Sequence, residues 1–240
     1  MIFHLDGTPA DSDFPDPALA TRDPDGLLAV GGELSRPRLL QAYRQGIFPW
    51  YSEGQPILWW SPDPRTVLYP EQIHVSRSLK KRLRRGGLTL QFDTDFDAVT
   101  AACAEPRNNQ DGTWLLPEMR DAYAELHRHG DAHSIELWDE DRLIGGMYGV
   151  CIGTVFFGES MFSRAPDASK IVMVYLAEQM LAHGFRLLDC QVFNPHLARM
   201  GAVEIPRSRF LQELESAVAT EPLPGMWLQS PVDCRELAYA

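Results

Sequence analysis

The stretch TVFFGESMFSRAPDASKIVMVYLAEQMLAHGFRLLDCQV, residues 154–192, decides the fold. Its first part, Thr154 to Phe162, is an apolar run that reads as a buried strand. Asp167 is an acceptable N-cap for a helix that runs to Gly184, and Arg186 to Val192 reads as a second strand. Upstream, a helix near Pro117 to His129 ends at Gly130. Strands follow at Ser134 to Trp138 and Leu143 to Cys151, joined by turns at Asp139-Glu140-Asp141 and Ile152-Gly153. Downstream come a short helix opening at Asn194-Pro195 and an amphipathic helix near Arg207 to Ala217.

Nearer the N-terminus, residues 1–24 are rich in Pro and Asp and suit extended segments and turns at the edge of something larger. Ser35 starts a helix carrying Leu39, Leu40 and Tyr43 that ends before Gly46. From Ile47 to Arg65, prolines exclude a regular helix and the aromatics exclude a free linker. We expect an α+β protein: a small N-terminal α/β domain over residues 1–64, then a larger mixed domain over 65–240.

With 240 residues, 45% of them apolar, the chain can bury a substantial core. It has no apolar run long enough to span a membrane, and no basic start and apolar core of a secretory signal, so a cytoplasmic protein without a membrane partner is expected. Cys103, Cys151, Cys190 and Cys234 are too scattered for a disulfide framework. His127, His129 and His133 sit near a helix end with no cysteine or carboxylate at zinc-like spacing, so no metal is expected.

The net charge of −11 argues against general affinity for nucleic acid, but its distribution is uneven. Residues 74–85 hold six of the 22 basic residues and no acidic one, leaving 16 basic against 33 acidic elsewhere. Helical spacing puts Arg77, Lys80, Lys81 and Arg84 on one stripe, continued by Arg85, with Leu79 and Leu83 left to anchor it. A cationic stripe free of acids suits phosphate tracking. Trp50, Tyr51, Trp59, Trp60 and Trp114 could stack on an unpaired base, though each also reads as a core residue.

Two places concentrate chemistry. Glu159 is a lone carboxylate in an apolar strand, and burial makes that expensive unless the charge is paired. It reads either as an ion-pair partner of Arg164 or Lys170, or as an anion positioned for a cationic substrate. In Asp189-Cys190-Gln191, strand alternation puts Asp189 and Gln191 on one face and turns Cys190 away, which disfavours a cysteine nucleophile. The pair also fits a hydrogen-bonded strand end.

Meander, helix, strand, helix is the order of the acyltransferase fold used by N-acetyltransferases. The residues where those enzymes cradle coenzyme A read Ser163-Arg164-Ala165-Pro166-Asp167-Ala168-Ser169-Lys170. They lack the glycines, and Asp167 would repel phosphate, so coenzyme A is not expected as donor. The motifs DGLLAVGG (25–32), GIFPW (46–50), WWSPDPR (59–65), FGESMFS (157–163) and DCQ (189–191) together resemble the leucyl/phenylalanyl-tRNA-protein transferases of bacteria from about residue 22 to about 210.

The resemblance implies an enzyme without a cofactor. It would move Leu, Phe or, less efficiently, Met from aminoacyl-tRNA to the α-amine of proteins beginning with Arg or Lys, marking them for degradation by the N-end rule. It implies Glu159, Asp189 and Gln191 as catalytic residues, Met147, Phe156, Met173, Leu176 and Leu188 as the aminoacyl pocket, and Trp50 and Trp114 against the terminal adenine. A monomer is expected. Two rivals are a related tRNA-dependent transferase, such as one building peptidoglycan cross-bridges, and a non-catalytic RNA-binding module.

Overall fold

The computed structural model describes residues 2–106 and 115–239. Strands β1 (Phe3–His4), β2 (Leu27–Val30), β3 (Phe48–Pro49) and β4 (Leu58–Trp60) form a small sheet in the order β1-β2-β4-β3. Helix α1 (Arg36–Arg44) sits between β2 and β3, with Pro37 in its first turn and Gly46 at φ +73° just past its end. Pro49 falls on the edge strand, where its missing N–H breaks no ladder. Trp59 is buried and its indole N–H donates to the Gly31 carbonyl at 2.9 Å, which gives the aromatic segment its order.

The larger sheet is built from β5 (Arg65–Leu68), β6 (Thr89–Phe92), β7 (Ala132–Asp139), β8 (Arg142–Ile152), β9 (Val155–Ser163), β10 (Leu187–Gln191), β11 (Val203–Ile205) and β12 (Val232–Asp233). Its order is β11-β5-β10-β9-β8-β7-β6-β12. The expected meander is β7-β8-β9. Helix α5 (Ala168–Ala182) then crosses over to β10, which runs parallel to β9. The periodicity missed β5, β6, β11 and β12, which are three or four residues long or shorter, too brief for a pattern.

Helices cover both faces of this sheet. Residues of α1, α3 (Phe96–Ala104), α4 (Pro117–Arg128) and α7 (Arg207–Val218) share one apolar cluster, which also takes in Leu28 and Trp59 of the small sheet. On the other face, α2 (Arg77–Arg84), α5 and the C-terminal segment share a second cluster. Double-sided burial explains why β8 and β9 read as continuous apolar runs instead of alternating. Helix α5 is buried from Ile171 to Ala177, enclosed all round. Asp167 precedes it at φ +65°, but its carboxylate takes the Lys170 ammonium and caps no backbone N–H. Helix α6 (Pro195–Arg199) completes the fold beside β10.

Two irregularities open the sheet. On β9, Gly158 pairs with Gly149 and Ser160 with Tyr148, so Glu159 is the extra residue of a bulge. On β10, Asp189 pairs with Val67 and Gln191 with Thr66, so Cys190 is likewise unpaired, and Gln191 takes φ +64°. Strands β9 and β10 are paired from Val155 to Phe157 against Leu187 to Asp189, and then part. Glu159 and Gln191 stand where the two strands diverge.

Candidate active site

The Glu159 carboxylate is held by three side chains from three elements. Gln191 Nε2 donates to Oε1 at 2.7 Å, Tyr43 Oη on α1 contacts Oε1 at 2.8 Å, and Tyr123 Oη on α4 contacts Oε2 at 2.6 Å. The two tyrosine hydroxyls lie 2.7 Å from each other. These three oxygen contacts need three protons, and the two hydroxyls supply two. Both hydroxyls donate to the carboxylate, and protonation of Glu159 would supply the third.

The electrostatics agree. Burial pushes the Glu159 carboxyl up to about 7, against the hydrogen bonds from Tyr123 and Tyr43, with the Asp189 charge adding to the rise. Burial, together with Glu159, also holds both tyrosines well above their ordinary value. Neither Arg164 nor Lys170 reaches Glu159; Arg164 pairs with Glu105 and Lys170 with Asp167. The ion-pair reading of Glu159 is therefore corrected. Its partners are tyrosines more than 30 residues away, beyond the reach of any local pattern.

Asp189 is fully buried and belongs to Arg65. Arg65 Nε and Nη2 donate to its two oxygens at 2.8 and 2.6 Å, while Nη1 donates to the Gly46 carbonyl at 3.1 Å. The guanidinium also lies over the Phe48 and Phe210 rings. The remaining capacity of Asp189 Oδ1 goes to the backbone N–H of Gln191 at 2.9 Å, which fixes the left-handed turn that aims Gln191 at Glu159. Asp189 thus positions Gln191.

Two cavities share Glu159 and Gln191. The first, about 190 Å³, is lined by Met147, Gly158, Met161, Cys190, His196 and Leu197 among others. The second, about 120 Å³, is lined by Phe48, Pro49, the exposed Trp50 and Val192. Cys190 thus lines the first cavity, contrary to the parity argument, because the parted strands leave both faces of β10 open there. Burial and the neighbouring Asp189 hold its thiol well above the ordinary range, so it stays protonated and is a poor nucleophile.

Of the five expected pocket residues, Met147 reaches the cavity. Phe156, Met173, Leu176 and Leu188 are buried in the same apolar cluster. Gly158 separates the layers: a Cβ there would lie 2.4 Å from Met147 Cε and 3.5 Å from Leu188 Cδ1. Met161, Leu197 and His196 were not anticipated, and nothing in their local spacing marks them.

Helix α2 carries its stripe as expected, with Leu79 and Leu83 buried and Ser76 capping the Leu79 N–H. Among the described residues, Arg77, Lys80, Lys81, Arg84 and Arg85 make no ion pair. Trp114 lies outside the described residues. The histidine reading needs one correction. Folding brings Asp93 to His133 Nδ1 at 2.6 Å and to within 3.8 Å of His127 Nδ1, a carboxylate hidden about 40 residues upstream. His133 is buried against Trp227, its other nitrogen 3.2 Å from the Gly130 carbonyl, and His127 Nδ1 faces the Ala132 carbonyl. Both rings are already engaged by oxygen acceptors.

The family model described as leucyl/phenylalanyl-tRNA protein transferase matches residues 67–215, and that of its N-terminal domain matches residues 32–63. Curated relatives named leucyl/phenylalanyl-tRNA–protein transferase include one from Chromohalobacter salexigens, 55% identical over 91% of this chain and 85% of the relative. One from Alkalilimnicola ehrlichii is also 55% identical, over 94% of this chain and 88% of the relative. A third, from Pseudomonas fluorescens, is 58% identical over 84% of this chain and 89% of the relative. The chain belongs to the leucyl/phenylalanyl-tRNA–protein transferase family, enzymes that transfer an aminoacyl group from tRNA to protein.

Proposed function

We propose that the protein transfers Leu, Phe and, less efficiently, Met from aminoacyl-tRNA to the N-terminal α-amine of proteins beginning with Arg or Lys, acting as a monomer and marking them for N-end rule degradation. The observation that carries this reading is that Glu159 and Gln191 lie where a cavity with Met147, Met161 and Leu197 on its apolar side and Ser160, Asn194 and His196 on its polar side meets one walled by Trp50. The apolar side of that cavity suits a large aliphatic or aromatic side chain, and methionines at positions 147 and 161 can adapt to more than one shape. Trp50 offers a platform for the terminal adenine. Glu159, on an acidic protein, favours a doubly cationic acceptor.

The acceptor's amine nitrogen attacks the ester carbonyl carbon, and the bond from that carbon to the ribose oxygen breaks. The α-ammonium loses two protons in all. One passes to the leaving ribose oxygen and the other to solvent, with Glu159 as a first station. An α-ammonium with a pKa near ~7.7 to 8.0 matches a carboxyl held at about 7 closely enough for easy exchange. Asp189 is the weaker candidate because Arg65 encloses it. Gln191, a neutral amide, orients the amine. Positioning accounts for most of the rate, since alignment of amine and ester is worth roughly 7 to 11 kcal/mol.

The test is Phe transfer from Phe-tRNA to peptides that differ in their first residue. Arg- and Lys-initiated peptides are expected to be acceptors and an Ala-initiated peptide a poor one. Equal transfer to all three would overturn the acceptor assignment, and no transfer to any would overturn the reaction.

A further inference from the structure

His196 joins the catalytic cavity to a second groove. It lines the first cavity and also a cleft bounded by Lys170 on α5, Arg199 at the end of α6, and Ser76 and Leu79 at the start of α2. The groove therefore leads from the cavity of Glu159 to the start of α2, the helix that carries the cationic stripe. Arg199 is exposed and makes no ion pair among the described residues, while Lys170 gives one contact to Asp167 at 2.5 Å. Both cations press on His196: burial, then Lys170 and Arg199, lower it from its ordinary value. The groove is thus electropositive despite the acidic body, which disfavours the cationic acceptor there and favours an anion.

The loop leading into the groove carries a further feature. Val192 lines the cavity of Trp50, and the next residue, Phe193, is 56% exposed, an unusual exposure for an aromatic ring. An exposed aromatic residue between two that line the cavity, Val192 and Asn194, with cations in the adjoining groove, is a composition that suits single-stranded nucleic acid, which stacks bases on rings and lays phosphates on cations.

We propose that Phe193, Lys170 and Arg199 hold the two nucleotides preceding the terminal adenosine of the donor's single-stranded 3′ end, with a base on Phe193 and the phosphates between the two cations. The assignment rests on the reading of the cavity pair as the site of the aminoacyl-adenosine terminus. Stacking on Phe193 provides contact without sequence readout, and Arg199 supplies a forked donor suited to phosphate oxygens. Helix α2 then receives the body of the tRNA beyond the single strand.

The experiment compares three donors with an Arg-initiated peptide: phenylalanyl-adenosine, a phenylalanyl-CCA trinucleotide and Phe-tRNA. Phe193→Ala, Arg199→Ala and Lys170→Ala are measured with each, alongside thermal midpoints to verify folding. KM for the trinucleotide and for Phe-tRNA is expected to rise about tenfold in Phe193→Ala and Arg199→Ala, less in Lys170→Ala, with Arg199→Lys restoring part of the loss. KM for phenylalanyl-adenosine is expected to stay within about twofold of the unsubstituted protein. An equal rise for all three donors, a rise for Phe-tRNA alone, or no rise at all would each overturn the groove assignment. If the unsubstituted protein transferred from none of the donors, the proposed function would fall and the groove with it.

Discussion

Arg65 grips both carboxylate oxygens of Asp189, at 2.8 and 2.6 Å, with no water access to either side chain. The two residues are 124 positions apart and meet because β5 pairs antiparallel with β10. The ion pair holds the strand whose end carries Gln191. Removing one partner leaves an unpaired buried charge, which costs about 3 to 5 kcal/mol. Arg65→Ala and Asp189→Ala are each expected to lose stability of that order in urea unfolding. The double variant Arg65→Met/Asp189→Leu should recover much of it, yet transfer poorly, because the Gln191 N–H then lacks its acceptor.

Glu159 sets a pH dependence with a defined sign. Its folded-state carboxyl, at about 7, lies above the unfolded value of about 4.3. The folded protein therefore holds this proton more tightly than the unfolded chain. Its contribution to stability is present below the unfolded value and is lost as pH rises toward 7. Glu159→Gln removes that loss, so its thermal midpoint relative to the unsubstituted protein should climb between pH 5 and pH 8. In the same variant the rise of kcat with an apparent pKa near 7 should disappear; a retained rise would assign it to another group.

Tyr43 and Tyr123 tune that carboxyl. Each hydroxyl lowers the Glu159 value by hydrogen bonding, so Tyr43→Phe or Tyr123→Phe is expected to shift the midpoint of the kcat–pH profile upward. An unshifted midpoint in both variants would show that the kinetic pKa is not that of Glu159.

Gly158 lines the cavity proposed to take the acyl side chain. A Cβ there collides with the flexible end of Met147, which must swing aside and take up cavity space. Gly158→Ala should fold, and should raise KM for Phe-tRNA more than for Leu-tRNA, since the bulkier side chain needs more of that volume. Steady-state transfer with both donors checks this.

Lys80→Ala/Lys81→Ala is expected to raise KM for Phe-tRNA and to reduce the slope of log KM against log salt concentration by roughly 0.7 to 0.9 per lost phosphate contact. No change at physiological salt would remove α2 from the tRNA path. Phenylalanyl-adenosine, too short to reach the helix, serves as the internal comparison.

Much of the architecture was legible from local pattern alone. The meander, the crossover helix and the strand with Asp189 follow from apolar periodicity over windows long enough to count, and the cationic stripe from helical spacing. The identities of Glu159 and Gln191 stood out because each is polar in an apolar strand. The rest depended on contacts across the chain. Alternation in β10 turned Cys190 away from the site; the bulge and the parting of β9 from β10 return it to the cavity wall. No period-two reading anticipates a bulge, since an added residue is stabilised by the partner strand. Arg65, Tyr43 and Tyr123 looked like ordinary members of their own segments, as did Asp93 beside His127 and His133. Local sequence determined which residues form strands and helices and where polar groups interrupt them, because those preferences act within a few residues. Tertiary structure alone decided that Asp189 is an anchor, that two tyrosines hold the Glu159 carboxylate and that the cavity opens between two strands, because burial and charge pairing exist only once distant segments meet.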